Sequence, residues 1–352
     1  MNGEKGRFLA TSDPHIREGI VGKRNPGRYF RILAIDGGGV RGIIPAMVLR
    51  YIEAKTGRRI HELFNLVAGT STGALLGAML IVPDKAKQPK YTSQDTLSLY
   101  KKECPQIFSR TLAKRAKSMG GLMGPRYSAQ AKRKVIEKYA GELKITDCLT
   151  DILVPAFDVR GGRPYFFKSI NARIDDRYNY PLKDVLDATS AAPTYFQPCR
   201  VSGYDSPPEH GYRSFVDGAL TANSPSLCAA IDALYIYKEK PEDILVVSLG
   251  CGDADIGVPF KEMCAWSGFK WAPYIAGALI SSSTFTVGYH TDQIIHGENY
   301  WRFQVKVPNK HADIDNISSK NIQWLEKAGE LLVFQNKERL DVLCDLLVEG
   351  ME

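Results

Sequence analysis

The stretch VAGTSTGALL, residues 67–76, places one serine, Ser71, at the junction of two apolar segments. The residues before it, LFNLVAG (63–69), predict a buried strand. The residues after it, TGALLGAMLIV (72–82), have almost no polar face and predict a short buried helix. The stretch therefore predicts a sharp corner between a strand and a helix, with Ser71 on the corner.

Two glycines flank this serine and complete a G-x-S-x-G pattern, which holds a nucleophilic serine on a strained turn. Gly69 and Gly73 are expected there because a Cβ at either position would collide across the turn. The free N–H groups at the start of the helix favour negative charge near Ser71. We interpret Ser71 as a nucleophile, and the alternative is a packing turn built from small residues.

A second glycine cluster, DGGGVRG (36–42), follows the apolar segment YFRILAID (29–36) and precedes a predicted helix. Gly37, Gly39 and Gly42 satisfy G-x-G-x-x-G, but the cluster lacks the GK[ST] ending of a P-loop. A dinucleotide-binding module would need an acidic residue after the next strand, which ends here in Ala-Gly-Thr-Ser.

The remaining interpretation of this cluster is an oxyanion hole, because glycine N–H groups can reach a developing negative charge without obstruction. Arg41 either neutralises charge at the site or pairs with an acid of the fold.

The predicted base is a carboxylate. In FVDGAL, Asp217 ends an apolar segment and is followed by Gly218 and Ala219. Burial raises the pKa of a carboxyl and makes it a better base, so Ser71 and Asp217 would suffice as a pair. Two alternatives remain, a capping aspartate and a Ser-Asp-His triad that uses His290 or His296.

Predicted strands alternate with predicted helices, and several strands are continuously apolar. This pattern predicts an α/β fold with a central, mostly parallel sheet covered by helices on both faces. Further strands are predicted over 151–159, 213–220 and 243–252, a hairpin partner at 165–169, and helices over 43–57, 181–193 and 223–237. The motifs all follow strand ends, which predicts one shared cleft.

We expect an irregular N-terminal arm over 1–28 and a single catalytic domain over 29–352, whose part over 253–352 is mainly helical. The chain has 352 residues, of which 44% are hydrophobic and 24% charged, as in soluble globular proteins. The first thirty residues contain no apolar core of a secretory signal, and the uncharged run over 271–289 is too polar for a membrane span.

Cysteine and histidine spacing argues against metal sites. The seven cysteines form no CxxC pair, which predicts no disulfide framework, no structural zinc and a reducing, cytoplasmic location. No HExxH motif occurs. DADIG (253–257) begins like a calcium loop but has Cys264 where that loop requires glutamate. We expect neither a metal nor another cofactor.

The net charge of +7 comes from one region. Residues 101–140 hold eleven lysines and arginines against two glutamates. Such a region favours lipid headgroups, a nucleotide or nucleic acid, and the alternative is a solvated helical face. GGLMGP (120–125) within it suggests a lid that hinges at its glycines.

An aromatic stretch, WSGFKWAPYIAGALI (266–280), has two interpretations. Its tryptophans, phenylalanine and tyrosine around one lysine suit the headgroup boundary of a membrane. Stretches of this composition are more often core helices, so we expect a core helix over 266–280.

The segments ILAIDGGGVRGIIPA, VAGTSTGALL, SAAPTYF and FVDGAL, in this order, resemble the patatin-like phospholipase family over roughly residues 31–250. The resemblance implies a modified α/β-hydrolase fold with Ser71 as nucleophile, Asp217 as base and no metal. It implies Gly37, Gly38 and Gly39 as the oxyanion loop. The supporting motif positions are Arg41, Gly42, Gly69, Gly73, Gly218 and Ala219. SAAPTYF (190–196) receives no chemical role.

The resemblance also implies a lipid acyl hydrolase of the phospholipase A type that cleaves fatty-acyl esters of phospholipids or galactolipids at the membrane surface. Some patatin-like bacterial proteins are antiviral effectors activated by a cyclic nucleotide, so an activated form of the same hydrolase is the alternative. A dinucleotide-binding module is less favoured, nucleic acid is not expected, and a homodimer is left open.

Overall fold

The computed structural model describes residues 23–109, 124–202, 211–295 and 297–351. The predicted N-terminal arm lies outside the described residues up to position 22, and residues 23–28 have no regular structure. The strands are β1 (Phe30–Ile35), β2 (Leu66–Gly69), β3 (Asp151–Asp158), β4 (Arg163–Lys168), β5 (Cys199–Val201), β6 (Arg213–Asp217), β7 (Ile244–Leu249), β8 (Asp253–Ala254), β9 (Tyr300–Phe303) and β10 (Lys306–Val307).

The helices follow the strands in the alternating order that the sequence predicts. They are α1 (Ile43–Thr56), α2 (Ile60–Leu63), α3 (Thr72–Met79), α4 (Ser93–Ile107), α5 (Ala129–Ala140), α6 (Ser169–Ile174), α7 (Leu182–Thr189), α8 (Ala219–Ala222), α9 (Ser226–Tyr235), α10 (Phe260–Met263), α11 (Gly268–Ile294), α12 (Asn309–Ala312), α13 (Ser319–Gln335) and α14 (Lys337–Val348).

The main sheet has the strand order β5-β6-β3-β2-β1-β7-β9, and β4 pairs with β3 beside this path. The centre of the sheet is parallel, because β1 pairs in parallel with β2 and β7, β2 with β3, and β7 with β9. Antiparallel pairs occur at one side, where β3 meets β4 and β6. The predicted hairpin and the mostly parallel sheet are confirmed.

The central strand β1 is buried on both faces, as its apolar sequence predicts. Leu33 and Ile35 belong to one core cluster, which includes residues of α1 and α13. Phe30 and Ile32 belong to a second cluster, which includes alanines of α9. Helices therefore cover both faces of the sheet, as predicted.

One edge of β3 is shared by two strands, and this arrangement builds the site. β4 pairs with one edge of β3 over Leu153–Asp158. The β3 residues that pair with β2 and with β6 overlap this range, so β2 and β6 must both lie along the opposite edge of β3. β2 pairs in parallel with Asp151–Leu153, and β6 runs antiparallel along Ala156–Asp158. The carboxyl ends of β2 and β6 therefore approach each other near Pro155, although the two strands run in opposite directions.

Two predicted helix boundaries are wrong. The helix expected over 181–193 ends at Thr189, because Pro193 has no N–H for the Thr189 carbonyl within a helix, and that carbonyl accepts the N–H of Gly218 instead. The helix expected over 223–237 begins at Ser226 with Pro225 as its N-cap, and no side-chain hydrogen bond caps it. The Asn223 side chain instead donates to Thr284.

The expectation of a core helix over 266–280 is also wrong. Most of this stretch lies in α11, and Thr291, near the C-terminal end of that helix, is its one buried residue. Phe269 is 91% exposed and Phe285 is 82% exposed. Within the described ranges, no helix combines the length and the apolar composition needed to cross a membrane.

Candidate active site

Ser71 sits on the corner between β2 and α3, as the sequence predicts. Its backbone angles, φ 53° and ψ −119°, lie in a region that residues other than glycine rarely adopt. Its N–H donates to Thr189 Oγ1 at 3.0 Å, which ties the strained residue to α7. The corner thus turns the side chain of Ser71 out of the strand direction, as expected for a G-x-S-x-G turn.

Asp217, the last residue of β6, faces this serine. Ser71 Oγ donates to Asp217 Oδ2 at 2.7 Å, across 146 residues of sequence. The second oxygen of the carboxylate accepts the N–H of Ala219 at 2.8 Å. Burial raises the pKa of Asp217 to about 6, while the hydrogen bonds from Ser71 and Ala219 act to lower it.

The structure brings the glycine loop beside the predicted nucleophile. A Cβ built on Gly37 would lie 3.5 Å from Ser71 Cβ. The N–H of Gly37 donates to the Asn223 carbonyl at 3.0 Å, whereas the N–H groups of Gly38 and Gly39 have no acceptor among the described residues. The geometry therefore favours Gly38 and Gly39 over Gly37 as donors to a substrate oxygen.

Gly39 has a conformation that only glycine adopts easily, with φ 59°. A Cβ there would lie 2.3 Å from the Ile314 carbonyl oxygen. The other motif glycines are closely packed as well. The nearest atoms to a built Cβ are Tyr100 Oη for Gly42, Ala74 Cα for Gly69, the Ile35 oxygen for Gly73 and the Pro155 oxygen for Gly218.

Arg41 has no acidic partner within salt-bridge distance among the described residues, and its Nε lies 3.4 Å from the Gly38 carbonyl oxygen. Burial lowers the pKa of this guanidinium. Asp36 is paired with Arg302, whose Nη1 and Nη2 donate at 3.0 and 2.5 Å. Arg302 could not be predicted as the partner of Asp36, because it lies 266 residues away on β9.

A second residue missed from the sequence is Thr189, immediately before SAAPTYF. Its carbonyl accepts the N–H of Gly218 at 3.0 Å, and Ala191 accepts the N–H of Asp217 at 3.1 Å. The buried Lys132 reaches Ser190 Oγ at 3.0 Å and Asp187 at 2.9 Å. The segment without a predicted role thus supports the residues around Asp217.

Of the alternatives predicted for Asp217, capping receives a contact, because its Oδ1 accepts the N–H of Ala219, the first residue of α8, whereas the triad receives none among the described residues. Among the described residues, no histidine bonds to Ser71 or Asp217, and His296 lies outside that part of the chain. No cluster of three or more acidic, cysteine or histidine side chains suited to a metal is found in the described ranges.

The basic region over 101–140 is only partly described, since residues 110–123 fall outside, including most of the suggested lid. Several of its described cations pair with acids of the fold. These pairs are Lys101–Glu326, Arg126–Asp315, Lys132–Asp187, Arg133–Asp184 and Lys138–Glu103. This part of the region therefore has less free positive charge than the sequence suggests.

The fold and the site together define an α/β protein whose serine corner, buried carboxylate and glycine loop meet at the carboxyl ends of β2, β6 and β1 in a mostly parallel sheet. The family profile described as "Patatin-like phospholipase" matches residues 33–229. "Patatin-like protein 1" of Oryza sativa subsp. indica is 32% identical over 356 residues, which cover 92% of this chain and 86% of that protein. This chain belongs to the patatin-like phospholipase family, and membership implies lipid hydrolysis.

Other relatives have similar coverage. "Patatin-like protein 1" of Arabidopsis thaliana is 30% identical over 348 residues, covering 90% of this chain and 84% of that protein. "Patatin" of Solanum tuberosum is 26% identical over 333 residues, covering 87% and 84%. Among solved structures, VipD from Legionella pneumophila aligns with 88% of this chain and 67% of its own, at 11% identity and a TM-score of 0.38.

Proposed function

We propose that this protein is a lipid acyl hydrolase of the phospholipase A type, with Ser71 as nucleophile and Asp217 as general base. The observation that carries the proposal is the 2.7 Å hydrogen bond from Ser71 Oγ to Asp217 Oδ2. A base must lie within such a distance of the proton it removes. With a pKa of about 6, the carboxyl is mostly ionised at neutral pH and still basic enough to accept a proton.

In the acylation step, Ser71 Oγ attacks the ester carbonyl carbon and its proton moves to Asp217. The carbonyl oxygen becomes an oxyanion, which the N–H groups of Gly38 and Gly39 stabilise. The tetrahedral intermediate collapses when the ester C–O bond breaks. The proton on Asp217 then passes to the departing alcohol, and the acyl group stays on Ser71.

In the second step, water attacks the acyl-serine and Asp217 accepts a proton from the water. Collapse of the second tetrahedral intermediate breaks the bond to Ser71 Oγ, which recovers its proton from Asp217. The products are a free fatty acid and the deacylated lipid. The guanidinium of Arg41, which has no acidic partner among the described residues, adds positive charge beside the glycine loop, where the oxyanion forms.

The substrate class follows from the family, whose members are described as phospholipases. We include galactolipids because both lipid types present fatty-acyl esters to the same chemistry. Activation by a cyclic nucleotide is not part of the proposal. The described cations of the basic region are largely paired with acids of the fold, which leaves few of them to bind such an anion.

The test is mass spectrometry of phospholipid and galactolipid vesicles incubated with the wild type and with Ser71→Ala. We expect free fatty acid and deacylated lipid from the wild type, and a loss of roughly 10⁴-fold or more in the variant. Ser98→Ala on α4, a serine with only a helical hydrogen bond, is the matched control and should retain full activity. Cyclic dinucleotides are added in a parallel series. Equal hydrolysis by the wild type and Ser71→Ala would refute the proposal.

A further inference from the structure

The helix α11 is apolar and yet lies on the surface. It has 27 residues, so it is roughly 40 Å long. Its formally charged residues are Lys270 and Asp292 alone. Its exposed large apolar residues are Phe269, Ile275, Leu279, Phe285 and Tyr289. Exposed apolar surface of this extent on one element marks a contact with another apolar phase or partner.

This helix adjoins the proposed active site. Thr284 Oγ1 accepts from Asn223 Nδ2 at 3.1 Å, and the Asn223 carbonyl accepts the N–H of Gly37 at 3.0 Å. α11 also contacts α8, which begins two residues after Asp217. Leu220 of α8 is 54% exposed. The exposed apolar surface thus continues from the helix to the edge of the site.

The N-terminal end of the helix has the composition of a membrane boundary. Trp266, Trp271 and Tyr274 form a cluster with ring centroids 5.2 to 5.7 Å apart. The exposed Phe269 and Lys270 lie beside them in sequence. Aromatic rings with an apolar body and a polar edge, next to a cation, suit the headgroup level of a bilayer.

We propose that the outer face of α11, together with Leu220, is the surface by which this protein rests on a lipid bilayer. The proposal rests on the proposed function, because the site must receive its acyl ester from a membrane. A second copy of the chain on this face would cover the Leu220 edge that an incoming lipid has to pass. The bilayer is therefore the occupant that leaves the site usable.

The direct test is flotation with vesicles of phosphatidylcholine and phosphatidylglycerol. It uses Ser71→Ala protein, so that hydrolysis cannot alter the vesicles. Adding Phe269→Asp and Phe285→Asp should lower the vesicle-bound fraction about tenfold or more, because two aromatic side chains lose their burial in lipid. Phe334→Asp on α13, where the phenylalanine is also exposed, is the matched control and should bind as before. Unchanged binding of the double variant would overturn the docking surface.

Two further readouts separate the rival explanations. Sedimentation velocity without vesicles should give the same species for all variants. A dimer in the wild type that dissociates in the double variant would assign the face to a second copy of the chain instead. The ratio of vesicle hydrolysis to hydrolysis of a water-soluble butyrate ester should fall about tenfold in the double variant with Ser71 present. If the proposed function is wrong, the wild type will not hydrolyse the ester, while the double variant will still bind fewer vesicles in the flotation experiment.

A different observation concerns Thr189, which is fully buried. It lies at Pro155, between the part of β3 that pairs with β2 and the part that pairs with β6. Its Oγ1 accepts the N–H of Ser71 at 3.0 Å and donates to the Pro155 carbonyl at 2.6 Å. Its own carbonyl accepts the N–H of Gly218 at 3.0 Å. One residue therefore bonds to the backbone of the nucleophile and to the residue after the base.

We infer that Thr189 is a positioning residue that holds Ser71 and Asp217 in register. Ser71 has a strained backbone, and such a conformation persists only where the surroundings fix it. The bond from its N–H to Thr189 supplies part of that restraint. Without the hydroxyl, the Ser71 N–H and the Pro155 carbonyl lose their shared partner, and the corner can relax away from Asp217.

The test compares Thr189→Val, which keeps the shape and removes the hydroxyl, with Thr189→Ser, which keeps the hydroxyl. On a water-soluble butyrate ester, Thr189→Val should lose about tenfold or more in kcat with KM changed less than about twofold. Thr189→Ser should recover kcat to within about threefold of the wild type. A serine variant as poor as the valine variant would show that the methyl group matters instead. A valine variant with wild-type kcat would also overturn the inference.

A low melting temperature in Thr189→Val would complicate a measurement of bulk activity. Titration of active sites with a fluorophosphonate keeps the test decisive, because kcat is then expressed per reactive serine. The positioning role predicts slow turnover in the folded fraction. A merely structural role predicts fewer active molecules with a normal kcat.

Discussion

The helices α3 and α11 are both apolar, and the structure buries one and exposes the other. In α3 (Thr72–Met79), all residues except Leu75 are buried. In α11 (Gly268–Ile294), only Thr291 is buried. Small residues let α3 approach β1 so closely that a Cβ at Gly73 would lie 2.3 Å from the Ile35 oxygen, whereas α11 presents large aromatic and aliphatic groups outward.

Apolar composition alone therefore does not determine whether a helix is buried or exposed. Glycine and alanine beside a strand indicate close helix–sheet packing, and that packing fixes the serine corner at the start of α3. Large apolar groups that stay exposed among the described residues, such as Phe269 and Phe285, mark a surface on which another phase or partner can pack. We therefore expect changes near α3 to have large effects, and changes on α11 to have small effects in the absence of lipid.

The largest expected effect is on activity, from Asp217→Asn. The amide keeps the shape of the carboxyl but cannot accept the Ser71 proton, so kcat should fall roughly 10³-fold or more. Hydrolysis of a water-soluble butyrate ester measures this. Activity within tenfold of the wild type would show that another group serves as the base.

The same variant should gain stability, which is its control for folding. Because the folded pKa of Asp217 is raised to about 6, its contribution to stability is fully present below the unfolded value near 3.9 and is lost as pH rises through about 6. The neutral asparagine does not titrate. The free energy of unfolding of Asp217→Asn should therefore exceed that of the wild type by up to about 3 kcal/mol at pH 8, with no gain near pH 4.

The next effect is the pH dependence of the wild type. The base must be ionised, so kcat/KM should fall about tenfold per pH unit below about 6 and level off above it. Rates on a water-soluble ester between pH 4 and pH 8 give the profile. A profile that stays flat down to pH 4.5 would contradict a buried carboxylate base.

A matched pair of glycine substitutions tests the packing difference directly. Gly73→Ala puts a methyl group against the Ile35 carbonyl and should destabilise the fold by about 1–3 kcal/mol. Gly277→Ala on α11 meets nothing within 4 Å and should stabilise the fold by about 0.5–1 kcal/mol, because alanine favours the helix. Urea unfolding measures both, and equal effects of the two substitutions would remove the distinction between the helices.

The smallest effect is expected from Phe285→Ser. An exposed side chain contributes little to folding, so the free energy of unfolding should change by no more than about 0.5 kcal/mol. A core truncation such as Leu33→Ala should lower it by about 2–5 kcal/mol. Strong destabilisation by Phe285→Ser would mean that the outer face of α11 is covered within the protein.

The sequence predicts the serine corner well because its determinants are contiguous. A strand, a glycine-flanked serine and a buried helix follow one another, and period and turn chemistry are read locally. Asp217 was predicted as the end of a strand. Its strand runs antiparallel to β3, however, and reaches Ser71 only because β2 and β6 share one edge of β3.

The supporting residues could not be predicted, because each acts across a long separation in sequence. Arg302 pairs with Asp36 over 266 residues, Thr189 with Ser71 over 118, and Asn223 with Thr284 over 61. Such pairs leave no periodic pattern in the chain. The position of α11 was missed for a related reason, since composition does not reveal which face of a helix meets the protein.

The roles of Ser71 as nucleophile and Asp217 as base are tested most directly by labelling with a fluorophosphonate. This reagent bonds its phosphorus to an activated serine Oγ as fluoride leaves. Peptide mass spectrometry locates the adduct, and the rate is compared between the wild type and Asp217→Asn. We expect a single adduct on Ser71 and labelling at least about 100-fold slower in the variant. An unlabelled Ser71 in protein that hydrolyses lipid, or labelling of Ser71 at the same rate without the Asp217 carboxylate, would contradict these roles.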